Sequence, residues 1–140
     1  HNNQSLGHQW GGNFRELIAI ARYNKGRLFA DAKVTVGTRG LDFNTTEDSF
    51  NYGGNIYKDY DEKRPFDTGV KVGQGNKTKV FIADIQGGYL VNPATNLKLF
   101  ASYIYRSFDP SKNTVATFNQ STNWVTLGVR SDIFNFYFDY

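Results

Sequence analysis

The sequence predicts an all-β chain, the C-terminal part of an antiparallel transmembrane β-barrel, with about five strands in these 140 residues and the remainder upstream. Three observations predict it. Apolar residues recur with period two in five segments, the gaps between segments alternate short and long, and the chain closes on alternating aromatics that end at Tyr140. The composition agrees: 16% of residues are aromatic, yet the mean hydropathy is only −0.53. Strands that turn one face to lipid and the other to an enclosed interior keep average hydropathy low while one face stays greasy. No run approaches the roughly 18 apolar residues that a membrane helix needs.

The first element is read at residues 14–23, where Leu17, Ala19, Ala21 and Tyr23 form an apolar set and Ile18 and Ile20 share the other side with Glu16 and Arg22. A short helix competes there, but the alternation favours a strand. Residues 27–36 give the clearest pattern, with Leu28, Ala30, Ala32, Val34 and Val36 on one face and Arg27, Phe29, Asp31, Lys33 and Thr35 on the other. In 79–91, Phe81, Ala83, Ile85, Gly87, Tyr89 and Val91 oppose a set that contains Asp84 and Gln86. In 96–106, Leu97, Leu99, Ala101, Tyr103 and Tyr105 oppose Lys98, Phe100, Ser102, Ile104 and Arg106. The last segment, 123–140, carries Val125, Leu127 and Val129 in one phase and Phe134, Phe136, Phe138 and Tyr140 in the other. A β-bulge at 131–133 brings both sets to one face. A tight turn at that point is the alternative.

Loop lengths decide between the two. Outer-membrane barrels have short periplasmic turns and long extracellular loops. With the C-terminus at the periplasmic side, 39–78 becomes a long extracellular loop, 108–122 a shorter one, and 24–26 and 92–95 periplasmic turns. A turn at Ser131 would reverse every assignment. Five strands fall below the roughly eight of the smallest bacterial barrels. A chain that begins at His1 and has no methionine is therefore expected to be a piece of a longer or processed protein, with its export signal outside the sequence seen.

Several function classes drop out. With no cysteine there is no disulfide, thiolate metal site or cysteine nucleophile. The net charge of +3 is spread along the chain rather than gathered into a patch, so nucleic acid is not an expected partner. His1 and His8 are the only histidines, and neither stands at a telling spacing from a carboxylate or nucleophile. His8 is expected to be a loop histidine held by packing. The pairs Gly11-Gly12 and Gly53-Gly54 lack the strand-to-helix setting of a phosphate loop. No enzyme activity and no cofactor are expected.

Three groups of residues are candidates for function. Glu16, Arg22, Arg27, Asp31, Lys33, Asp84, Lys98, Arg106 and Arg130 are expected to face the lumen, six cations against three anions. A basic lumen attracts anionic polysaccharide or selects anions. The plainer alternative is that these charges pair with one another and with unseen strands. In the long loop, Tyr57, Asp59, Tyr60 and Asp61 offer stacking or ligating groups for a sugar or calcium. The spacing and central glycine of a calcium loop are missing, so a solvated loop is the plain reading. At the C-terminus, Phe134, Phe136, Phe138 and Tyr140 resemble the signal read by the barrel assembly machinery. On a soluble edge strand such aromatics would be an aggregation hazard.

The runs His8-Gln9-Trp10-Gly11-Gly12-Asn13-Phe14-Arg15-Glu16, Arg22-Tyr23, Gly26-Arg27-Leu28-Phe29-Ala30, Gly128-Val129-Arg130-Ser131-Asp132-Ile133-Phe134-Asn135 and Asp139-Tyr140 resemble the C-terminal part of gliding-motility proteins of the RemB type, from Bacteroidota. These are similar to the capsule-assembly Wzi barrels. The resemblance covers the strands and not the long loop, and Tyr140 stands where the family has a terminal Phe. It implies a bacterial outer-membrane component of surface machinery, serving gliding, secretion or polysaccharide handling. The implied partners are the lipid bilayer, the assembly machinery and other surface proteins or polysaccharide. A diffusion porin and a soluble carbohydrate-binding β-sandwich are the other two readings of the same strands.

Overall fold

The structure, a computed structural model, describes residues 7–59, 61–115 and 117–131. Five strands make one sheet: β1 (Phe14–Lys25), β2 (Leu28–Leu41), β3 (Asn76–Asn92), β4 (Leu97–Pro110) and β5 (Gln120–Arg130). Each is hydrogen-bonded to its chain neighbour in the order β1-β2-β3-β4-β5, every pair antiparallel. The described residues contain no helix, so the strand reading of 14–23 stands over the helical one.

Strands β1 to β4 are longer than the alternation of apolar residues indicated, and β5 begins earlier, at Gln120. The first turn occupies 26–27 and the second 93–96, each displaced slightly from its expected place. The long loop is 42–75 rather than 39–78, because Arg39, Gly40 and Leu41 still pair with Thr78, Lys77 and Asn76. Likewise the shorter loop is 111–119 rather than 108–122, since Ser107 and Phe108 pair with Ser121 and Gln120. The physical reason is common to both corrections: the ladder is made by backbone N–H and C=O groups, which continue past the last apolar side chain. Both long loops lie at one end of the sheet and both short turns at the other, as expected.

The register aligns the faces. Partners directly opposite each other share a face. Leu17, Val36 and Phe81 form one row across β1, β2 and β3, and Ala21, Ala32, Ile85, Tyr103 and Val125 form another across all five strands. Nearer the turns, Tyr23, Ala30, Gly87, Ala101 and Leu127 make a third. Apart from Val91, which falls in a register shift between Leu90 and Asn92, each set read as apolar in the described strands therefore lies on one and the same face. A slip of one residue in any strand would have broken this.

Nothing covers that face among the described residues. Leu17, Tyr23 and Leu28 are 67%, 57% and 56% exposed, and Leu127 is 78% exposed. Among the described residues the buried apolar side chains are Trp10, Val80 and Ala83, of which Ala83 is a small residue on the apolar face itself. Packing concentrates instead at the loop-bearing end, where residues 7–13 and the long loop fold over the top of the opposite face.

Candidate functional site

That opposite face collects the charges. Glu16, Arg22, Asp31, Lys33, Asp84, Lys98, Arg106 and Arg130 all occupy it by register, and Arg27 adjoins it from the first turn. Asp31 stands between Arg22 and Gln86, while Lys33 stands directly opposite Asp84. Seven of the nine, all but Glu16 and Arg106, line one open cavity of about 530 Å³ toward the turn-bearing end.

The Arg22–Asp31 pairing inside this group is loose. Arg22 Nε lies 3.6 Å from Asp31 Oδ1, and both side chains are half or more exposed. An ion pair so solvated stabilises by at most about 1 kcal/mol. The Arg27 guanidinium donates to the Val91 carbonyl at 3.5 Å. Glu16 is held differently, accepting from His8 Nε2 at 2.6 Å.

The charged face is shaped by aromatics as well. Phe29 and Phe100 alternate with Gly88 and Gly128 along one row. Each ring lies across the glycine of the next strand: a Cβ on Gly88 would come 2.4 Å from the Phe29 ring, and one on Gly128 would come 2.7 Å from the Phe100 ring. The two glycines are thus sockets that let rings lie flat on the sheet.

At the loop-bearing end the wall becomes a lid. His8 stacks on Phe14 with ring centroids 4.2 Å apart, and Trp10 packs edge-on against both. His8 is thus packed against rings, as read from the sequence, but it also meets a carboxylate that its spacing did not reveal, Glu16 at 2.6 Å. Asn13 is the fastener. Its amide nitrogen donates to the carbonyls of Tyr52 at 2.8 Å, Gln74 at 3.0 Å and Gly40 at 3.2 Å, and its amide oxygen accepts from Gly73 N at 2.7 Å. One side chain therefore joins the start of β1, the end of β2 and two points of the long loop. The paired glycines permit the approach: a Cβ on Gly12 would come 2.5 Å from the Gly53 carbonyl oxygen, and one on Gly54 would come as near to that of Gly40. They are contact points between backbones, which is why they lacked a phosphate-loop setting.

Two further clasps complete the lid. Asp42, with its side chain 3% exposed, accepts from Lys58 Nζ at 2.7 Å and from Tyr52 N at 2.8 Å. Asn76, fully buried, exchanges two hydrogen bonds with the backbone of Lys112 and so ties β3 to the shorter loop. Tyr52 donates its hydroxyl to Asp48 Oδ2 at 3.0 Å. Burial first, and then this hydrogen bond and the charges of Asp48 and Asp42, push the Tyr52 phenol above its ordinary pKa of 10.0. Beneath the loops lies a second cavity, of about 450 Å³, bordered by His8, Arg39, Asn55, Tyr57 and Lys58. Arg39 Nε is buried beside it with no hydrogen-bond partner among the described residues.

Of the loop residues singled out by sequence, Tyr57 borders this cavity and is 81% exposed. Asp59 and Asp61 do not border it. Asp59 accepts from Asp61 N and Glu62 N, and Asp61 lies 3.8 Å from Arg64. Tyr60 lies outside the described residues, as do Phe134, Phe136, Phe138, Tyr140 and the expected bulge beyond Ser131. No group of three or more His, Asp or Glu side chains converges as metal ligands among the described residues. Asn13, Asp42 and Asn76 were missed by sequence reasoning, and their only signal was an asparagine or aspartate at each strand boundary next to a glycine-rich or turn-rich stretch.

Comparison of the chain with protein-family models, with curated proteins and with solved structures gives no match.

Proposed function

We propose that this chain is part of an outer-membrane β-barrel that serves bacterial cell-surface machinery in gliding, secretion or surface-polysaccharide handling, without enzymatic activity of its own. The observation that carries the reading is the pairing of an uncovered apolar face with a face that gathers the nine charges expected there and Arg39, in strands of 11 to 17 residues. Strands in water-soluble sheets are commonly about 5–6 residues long, whereas a membrane-crossing strand needs about 9–11. Along β3 the apolar row from Phe81 to Tyr89 runs roughly 27 Å at about 3.4 Å per residue. A strand tilt of about 40° brings this to about 20 Å of height, close to the apolar band of about 25 Å on such barrels. Aromatics stand at both limits of the row, Phe81 beside Tyr105 at 5.9 Å and Tyr89 at the turn end, as they do at membrane interfaces.

In this reading the charged face lines the interior and the loops close its extracellular mouth. The barrel is completed by strands beyond these five, and the C-terminal aromatics are read by the assembly machinery. Membrane fractionation tests it. The protein is expected in the outer-membrane pellet, released by detergent and migrating faster before boiling than after. Recovery in the periplasmic supernatant without detergent overturns the proposal.

The basic cavity at the turn-bearing end supports a second reading, diffusion or uptake of anionic solutes. Stable open levels in planar bilayers favour that reading, and silent bilayers favour the first.

A further inference from the structure

The apolar face carries a feature that the barrel reading does not use. From the row of Leu17 down to the row of Tyr23 it holds no Asp, Glu, Lys or Arg on β1 to β5, but one step beyond Leu17 and Phe81, at the loop-bearing end, Arg15 and Lys79 stand in a single row with Thr38 between them. Lys77 follows on the same face of β3, two residues further out. All three side chains are exposed, and no ion pair involves them among the described residues. With strands about 4.8 Å apart and residues about 3.4 Å apart along a strand, the three Cα atoms lie within about 10–12 Å of one another. A shallow cleft of about 650 Å³ runs between this group and the greasy side chains of Leu17, Val36 and Phe81.

The one carboxylate in that row, Asp109, is opposite Lys79 but accepts from Asn119 Nδ2 at 3.0 Å, which draws it toward the shorter loop. Three long cationic side chains above a charge-free apolar band have a definite chemical complement. It is a molecule with acyl chains to lie along the band and a phosphate to meet the cations, at the depth where lysine and arginine stems reach up to headgroups. At the turn-bearing end of the same face a single cation, Lys25, stands opposite Leu28, which in turn stands opposite Tyr89, so the cluster of three is confined to the loop-bearing end.

We propose that Arg15, Lys77 and Lys79 bind the phosphate of an anionic lipid in the leaflet that surrounds the loop-bearing end. The proposal rests on the barrel reading, and the test separates the two. Full-length protein is purified in a neutral detergent and titrated with phosphatidylglycerol or phosphatidylcholine of identical acyl chains, and bound lipid is counted by native mass spectrometry. The wild type is expected to hold phosphatidylglycerol in preference. Each cation removed should weaken that retention about five-fold, so Arg15→Gln with Lys79→Gln should lose more than about ten-fold, while Arg15→Lys keeps it. Lys71→Gln, the same charge change in the long loop, should leave it unaltered. Heat-modifiable migration of each variant shows that the fold is intact.

Equal retention of the two lipids, or a preference that survives replacement of all three cations, overturns the proposal and leaves the barrel standing. Displacement of phosphatidylglycerol by an equal concentration of inorganic phosphate also overturns it, because the site would then be one for a free anion. Failure of the barrel reading has a different signature: a protein that needs no detergent and takes up neither lipid.

Discussion

Single side chains decide how this sheet is fastened, and Asn13 is the most consequential of them. Three carbonyls and one N–H meet its amide, so Asn13→Ala leaves partly buried backbone groups unsatisfied, at about 1–3 kcal/mol each where water cannot replace the bond. The expected outcome is local: the long loop should be nicked by trypsin at Lys58, Lys63 or Lys71 at least ten-fold faster, while the strands stay paired. Unchanged nicking would show that the loop is held by other contacts. Tyr52 makes a pH prediction at the same scale. Its phenol is raised in the folded loop by burial and by Asp48, so the proton is bound more tightly folded than unfolded. The stabilisation is fully present below the ordinary pKa of about 10 and is lost as pH rises from there through the raised value. Tyr52→Phe should remove that alkaline loosening, read as loop proteolysis against pH. The sockets give a third. Gly128→Ala places a methyl against the Phe100 ring and is expected to destabilise by about 1–3 kcal/mol through overpacking, measured by urea unfolding in vesicles.

The elements show how much was legible in advance. Period-two alternation indicated five antiparallel strands and phased their described positions into two faces, Val91 at the register shift excepted, because one greasy and one charged face leave a strand only one phase. The charged set came together for the same reason: once Lys33 and Asp84 were phased within their own strands, pairing made them neighbours. Strand ends were not legible. Arg39, Gly40, Lys77 and Thr78 look like loop residues by composition but continue the ladder, since hydrogen bonding between strands does not depend on the side chain. The lid was not legible either. Asn13 and Gln74 are far apart in sequence, and no local pattern links them. The element-scale prediction is a contrast of faces. Ala32→Arg, in the middle of the apolar face, should cost about 2–4 kcal/mol of stability in vesicles if that face meets acyl chains. Thr126→Arg, on the charged face opposite Ser102, should stay within about 1 kcal/mol. Equal costs for the two would remove the distinction between the faces.

At the scale of the molecule, the five strands bury little of their own apolar surface. A single layer with Trp10, Val80 and Ala83 as its buried apolar residues does not resemble the two-layer cores of water-soluble domains. Its apolar side is left exposed among the described residues, and in the proposed reading it meets lipid. The absence of cysteine from the sequence allows a direct test, in which one cysteine at a time is introduced along β3 from position 81 to position 89 and spin-labelled in the full-length protein in vesicles. Oxygen dissolved in the acyl chains should reach labels at 81, 83, 85, 87 and 89, and a water-soluble nickel chelate should reach those at 82, 84 and 86, position 88 being left as the glycine that seats the Phe29 ring, giving two period-two profiles half a cycle apart. Labels at the odd positions that neither oxygen nor nickel can reach would place that face beneath another layer of protein and contradict the account.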